Sequence, residues 1–131
     1  MIKFLLFLMP ILLCCSSTYE FKGEHYIAEF YHCNEKLNDP KALKQVMIWG
    51  CENAGATVLD DIVTMFPGGG CSILITLAES HATIHTYPEI KACFLDIFTC
   101  GDTCDVWKFS NTLHWMLEPD EYDEQVIERG N

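Results

Sequence analysis

No Cys-x-x-Cys pair occurs in this chain of 131 residues, although eight of them are cysteine. Structural zinc is held by paired knuckles of that kind, and Cys100-x-x-x-Cys104 has no second pair to complete it. The cysteines at 33, 51, 71 and 93 fall in or beside apolar runs, where a thiol behaves as a small buried hydrophobe, so a reduced protein with no metal is expected. Gly-x-Ser-x-Gly is missing, which argues against a serine hydrolase built on a nucleophile elbow. Gly68-Gly69-Gly70 is not followed by the lysine that a phosphate-cradling loop needs. Basic residues are scarce: 8 Lys and Arg stand against 19 Asp and Glu, a formal net charge of -11, and such a chain repels nucleic-acid phosphates. No internal repeat or low-complexity segment stands out.

What is there suffices for one domain, since half the residues are apolar and the length is too short for two full cores. Met1-Ile2-Lys3 precedes an apolar run, Phe4 to Cys15, broken by Pro10 and followed by Ser16-Ser17. That order is similar to an export signal and too short for a comfortable membrane span. A start codon assigned upstream of the true domain is the other reading. Residues 1–19 are therefore set apart as a signal-like extension and residues 20–131 as the domain.

Aromatics from His25 to Tyr31 predict a first strand. Asp39-Pro40 opens a helix whose apolar residues Leu43, Val46, Met47 and Cys51 recur at helical spacing until Gly55. Strands are expected over 57–65, 72–78, 82–87 and 92–98, and a second helix between Asp102, as its cap, and Leu117. Gln125-Val126-Ile127 predicts a last strand, and the acidic residues around it, from Glu118 to Glu128, a solvated surface strand or tail. Short links force mainly antiparallel pairing, and two helices cover one face only. The expected fold is thus α+β, a two-layer sandwich of a mainly antiparallel sheet with two helices on one face. Its bare face calls for a second copy, hence a homodimer.

Chemistry concentrates in Leu77 to Pro88, LAESHATIHTYP, where Glu79, Ser80, His81 and His85 interrupt a strand-like run. A zinc site of His81, His85 and Cys100 lacks a defined fourth ligand. Unaided, Ser80 is a poor nucleophile. Strict alternation puts Ser80 and His85 on opposite faces of a flat strand, so a bulge or a bend at that point is expected if the two are to meet. By themselves Phe66 and Tyr87 are more often core aromatics than stacking platforms.

The set His25-Tyr-Ile-Ala-Glu-Phe-Tyr31, Gly55-Ala-Thr57, Phe66 with Gly70-Cys-Ser72, Glu79-Ser-His-Ala-Thr-Ile-His-Thr-Tyr-Pro-Glu89 and Asp96-Ile-Phe-Thr-Cys-Gly101, in this order and spacing, resembles the bacterial and archaeal S-adenosylmethionine decarboxylases. The resemblance runs from about residue 24 to the end of the chain. It implies self-cleavage between Glu79 and Ser80, through an ester formed by Ser80 Oγ, with Ser80 ending as a pyruvoyl group. A strained peptide, a group holding the Glu79 carbonyl and a base for the Ser80 Cα proton are the needs of such a reaction. The resemblance gives Ser72 and His85 to processing, His85 as that base, and Cys100 to returning a proton to substrate carbon.

The pyruvoyl carbonyl implied here forms a Schiff base with the substrate amine and draws off the electrons freed as carbon dioxide leaves. Phe66 and Tyr87 are implied to flank the adenine of S-adenosylmethionine, and Glu89 to take the ribose hydroxyls. Tyr87 stands where the family usually has tryptophan, and Ile73 where a glycine is common. The implied product is the aminopropyl donor for spermidine, made in the cytoplasm by a homodimer of cleaved protomers. Two alternatives are an ornithine or arginine decarboxylase of the same family, and a secreted, non-catalytic binding protein on the same fold. The second is tied to residues 1–17 acting as a signal.

Overall fold

A computed structural model describes residues 20–130. The signal-like extension of residues 1–19 lies outside the described residues. Within them the order is β1 (Lys22–Tyr31), α1 (Pro40–Asn53), β2 (Val58–Met65), β3 (Cys71–Leu77), β4 (Ser80–Tyr87), β5 (Ala92–Cys100), α2 (Val106–Leu117) and β6 (Glu121–Gly130). The strands form one sheet in the order β2-β3-β4-β5-β1-β6, with every neighbouring pair antiparallel. The expected α+β two-layer sandwich is the fold found. No helix among the described residues is long and apolar enough to cross a membrane.

Each helix begins on an aspartate. Asp39 accepts hydrogen bonds from the N–H groups of Lys41 (3.0 Å) and Ala42 (3.1 Å), and Pro40 supplies a first helical residue that needs no donor partner. Leu43, Val46, Met47, Gly50 and Cys51 then form the buried stripe of α1, and Gly55 leaves the helix with φ at +90°. The cap of α2 is Asp105, whose side chain accepts from Trp107 N–H at 3.1 Å, rather than the expected Asp102. The competitor is Lys22, whose Nζ lies 3.0 Å from Asp102 Oδ1, and β5 itself runs on to Cys100, two residues past the expected end.

The two helices pack on one face. From Ala82 onward the residues of even number on β4, and those of odd number on β5, among them Ile84, Leu95 and Ile97, are buried and share one core with Leu43, Met47, Phe109 and Leu113. Gly50 allows the helices to approach closely, since a Cβ there would lie 3.0 Å from both Phe109 and Leu113. The cysteines of the core are free thiols, and burial pushes Cys51 up to about 12, as expected of a cysteine used for packing. The opposite face of the sheet carries no helix and leaves Ile62, Leu74, Phe94 and Ile127 exposed.

β6 is longer than the predicted three residues, because its ten residues pair along the whole of β1. One of its acids is not a solvated side chain. Glu124 Oε2 accepts from Tyr26 Oη (2.8 Å) and Ser110 Oγ (3.1 Å) and meets His114 Nε2 at 3.2 Å, joining β1, α2 and β6. Burial pushes the Glu124 carboxyl up, but hydrogen bonds from Tyr26, His114 and Ser110 outweigh that and hold it below its ordinary 4.5. A carboxyl held low stabilises the fold above its unfolded value and loses that contribution as pH falls through its folded value. Glu124→Gln is therefore expected to cost about 1–3 kcal/mol at neutral pH. Its urea midpoint should also fall less steeply than that of the parent chain as pH drops below 4.5.

Candidate active site

The hairpin between β3 and β4 turns on two residues, Ala78 and Glu79. Three hydrogen bonds clamp it. Ala78 N–H donates to Thr57 O (2.9 Å), the Glu79 side-chain Oε2 accepts from Thr57 N–H (2.9 Å), and the Glu79 carbonyl oxygen accepts from Cys100 N–H (3.2 Å). Ser80 follows as the first residue of β4, opposite Thr99 on β5, with its Oγ 3.0 Å from Nδ1 of the next residue, His81. The Cys100 side chain is exposed beside this peptide, in a surface hollow that also takes in Lys22, Glu79 and Asp102. One peptide bond thus has its carbonyl oxygen on a backbone donor, a neighbouring hydroxyl on an imidazole, and a thiol alongside. That set is fit for acyl transfer at residue 79.

Antiparallel pairing collects a second group at the other end of β4. Ser72 on β3 stands opposite His85, and Ser72 Oγ and His85 Nδ1 are 2.5 Å apart. Aromatic rings enclose the imidazole: Phe66 lies 5.4 Å from it and Tyr87 4.9 Å, centroid to centroid, with Phe94 5.8 Å beyond Tyr87. Glu89 is exposed in the short 3-10 turn Pro88–Ile90 that follows Tyr87. Phe66 is an exposed ring and Tyr87 a half-buried one, so neither is a core aromatic.

The two groups do not meet within one chain. Ser80 and His85 are five residues apart on one strand, about 16 Å at the usual strand rise. No bulge lies between them, because β4 pairs with β5 in unbroken register from Ser80 to Tyr87, and the bend at Ala78 and Glu79 comes before Ser80. Ser80 keeps the parity of the helix-covered residues and His85 that of the bare face. The zinc set His81, His85 and Cys100 is not assembled either, since His85 belongs to the far group. The residues that do converge are His25 on β1, His81 on β4 and Asp96 on β5, with one ligand atom from each inside a 4.8 Å cluster.

Sequence reasoning missed His25, Thr57, Phe94 and Asp96. His25, Phe94 and Asp96 sit at alternate positions on the bare face of β1 and β5, which a period-two reading could have marked, but their pairing partners are far away in sequence. Thr57 contributes only backbone groups to the hairpin, which no side-chain pattern reveals.

The S-adenosylmethionine decarboxylase family matches residues 24–130. An S-adenosylmethionine decarboxylase proenzyme of Caldicellulosiruptor saccharolyticus is 36% identical over 109 residues, covering 82% of this chain and 88% of the relative. That of Carboxydothermus hydrogenoformans is 40% identical over 92 residues, 70% of this chain and 72% of the relative. Among solved structures, the adenosylmethionine decarboxylase of Aquifex aeolicus superposes with a TM-score of 0.78 at 27% identity, covering 86% of this chain and 93% of that one.

Proposed function

Because the chain belongs to the S-adenosylmethionine decarboxylase family, we propose that it is a self-processing decarboxylase of S-adenosylmethionine, cleaved between Glu79 and Ser80. The observation that carries this reading is the clamped Glu79–Ser80 peptide, its carbonyl oxygen on Cys100 N–H at 3.2 Å. Attack by Ser80 Oγ on that carbonyl moves negative charge onto the oxygen, where the Cys100 N–H already points. The peptide nitrogen leaves and an ester joins Glu79 to Ser80 Oγ. Removal of the Ser80 Cα proton expels the Glu79 carboxylate, and hydrolysis of the resulting dehydroalanine releases ammonia and leaves a pyruvoyl group. That group supplies an electron sink for loss of carbon dioxide from an amine substrate. Residues 1–79 become one fragment and residues from 80 onward the other.

His85 is the base for the Cα proton, with Ser72 holding its ring, and Cys100 returns a proton to substrate carbon. Phe66 and Tyr87 supply faces for adenine and Glu89 a carboxylate for ribose hydroxyls. Since His85 stands about 16 Å along the strand from Ser80, it reaches that residue only from a second copy. Two bare sheet faces apposed about a two-fold axis running across the strands bring the Ser72–His85 end of one protomer over the Ser80–Cys100 end of its partner, where Ser80 Oγ, at the start of β4, meets His81 of the bare face. The same apposition covers Ile62, Leu74, Phe94 and Ile127. The product is the aminopropyl donor for spermidine, and the cytoplasm is the compartment that fits such a pathway.

The rival amino-acid decarboxylase differs in substrate alone. The relatives reported above bear the S-adenosylmethionine decarboxylase name, which favours the sulfonium substrate. Carbon dioxide release from labelled S-adenosylmethionine, measured against ornithine and arginine, decides between them. A non-catalytic binding protein has no use for the clamped peptide or the Ser72–His85 pair.

Wild-type chain is expected to run as two fragments on a denaturing gel, the second lighter than a serine-initiated chain by one ammonia, and Ser80→Ala as one intact chain. His85→Ala is expected to stall at the ester, so that hydroxylamine splits it. Coexpressed with Ser80→Ala, the His85→Ala chain should be cleaved, because each mixed dimer holds one Ser80 facing an intact His85. Cleavage in neither case removes the shared site. Cys100→Ala should cleave normally, since its backbone supplies the donor, yet turn over about a hundredfold more slowly or worse in the labelled-substrate assay.

A further inference from the structure

Ester formation needs a group that accepts the Ser80 hydroxyl proton, and the processing roles above leave that step without one. The geometry points to His81 as the base for Ser80 Oγ, with Asp96 as its positioning residue, an inference that rests on the proposed cleavage at Glu79–Ser80. His81 Nδ1 lies 3.0 Å from Ser80 Oγ in the same chain, whereas His85 is bonded to Ser72 at the far end of the strand. Acceptance at Nδ1 requires the tautomer with its proton on Nε2. That Nε2 faces Asp96 Oδ1 at 3.9 Å.

Asp96 is prepared for the task. Thr83 Oγ1 donates to its Oδ2 at 2.8 Å and fixes the carboxylate, while Oδ1 is buried and has no hydrogen-bond partner. His25 Nε2, also buried without a partner, lies 3.6 Å from the same Oδ1. Arg129 Nη1 stands 3.5 Å from His25 Nδ1, and a guanidinium only donates, so His25 also presents a proton at Nε2. Two imidazole N–H groups therefore face one carboxylate oxygen. A metal ion at this cluster needs lone pairs at both Nε2 atoms, which would turn the His25 Nδ1 proton against the Arg129 donor.

The step balances within the chain. The Ser80 Oγ proton passes to His81 Nδ1 as Oγ bonds to the Glu79 carbonyl carbon, and the carbonyl electrons move onto its oxygen. As the adduct collapses, the bond from Glu79 carbon to Ser80 nitrogen breaks and His81 returns the proton to that nitrogen. The products are an ester and a free Ser80 amine, with no co-reactant. Asp96 steadies the imidazolium between the two transfers, as the aspartate does in serine–histidine–aspartate triads.

In a single protomer the His81 side chain is 49% exposed, so a small base can enter the space left by truncation. His81→Ala is expected to process at least a hundredfold more slowly. Added imidazole should restore much of the rate and the weaker base 1,2,4-triazole less of it, a graded response that a structural histidine does not give. Hydroxylamine should leave the His81→Ala chain intact, in contrast to His85→Ala, and coexpression with Ser80→Ala should not rescue it, because the missing base acts within its own chain. Asp96→Asn should slow processing by a smaller factor and remain insensitive to imidazole. His81→Asn, close in size and unable to take up a proton, should match His81→Ala and guard against a folding defect read by circular dichroism.

An intact wild-type chain overturns the cleavage reading itself. A cleaving wild type beside a folded His81→Ala chain that cleaves equally fast, splits with hydroxylamine or ignores imidazole overturns the role of His81 alone. Zinc bound by the wild-type chain and lost in His25→Ala also overturns it, making the cluster a metal site.

Discussion

Unbroken antiparallel pairing of β4, with β3 on one side and β5 on the other, is the constraint from which the remaining geometry follows. Register decides which residues stand opposite each other and, through the pleat, which face each takes. It sets Ser72 against His85 and Ser80 against Thr99. It brings Cys100 N–H to the Glu79 carbonyl, just past the end of the β4–β5 ladder. A one-residue slip on either side would send the core side chains Ala82, Ile84 and Thr86 to the bare face, so the burial that stabilises the sheet also holds the chemistry in place.

The two faces of the sheet serve opposite ends. On one, α1 and α2 cover aliphatic residues at close packing, and the polar knot of Tyr26, Ser110, His114 and Glu124 ties β6 to that layer. On the other stand His25, His81, His85 and Asp96, along with exposed Leu74 and Phe94. Imidazoles and a carboxylate among apolar rings are a poor choice for a permanently solvated surface and a poor choice for a dry core. They suit a surface that is closed over reacting groups.

Much of the fold was legible because its signals are local. Asp39-Pro40 before a helical stripe, Gly55 after it, and the alternation in β3 to β5 each declare an element within a dozen residues. The errors lie where two local signals compete. Asp102 and Asp105 are equally able to cap, and Lys22, remote in sequence, takes one of them. β6 looked short because acids obscure its apolar residues, and its length is dictated by β1. The site followed the same rule: the residues of one hairpin, Glu79, Ser80 and His85, were readable together, but their division into two groups was not. That division depends on strand rise and pleat, and the contribution of Asp96 and His25 depends on pairings that no neighbouring residue signals.

The strand order carries a mechanical consequence for a chain cut after Glu79. β1, β2 and β3 would belong to one fragment and β4, β5 and β6 to the other, yet β1 lies between β5 and β6, and β3 pairs with β4. The fragments are interleaved like the fingers of two hands. Pulling them apart means drawing a central strand, with its fully buried Tyr26 and Phe30, out of the sheet. For a chain so cut, folding would be unimolecular before the cut and bimolecular after it, so the topology favours a cut that follows assembly.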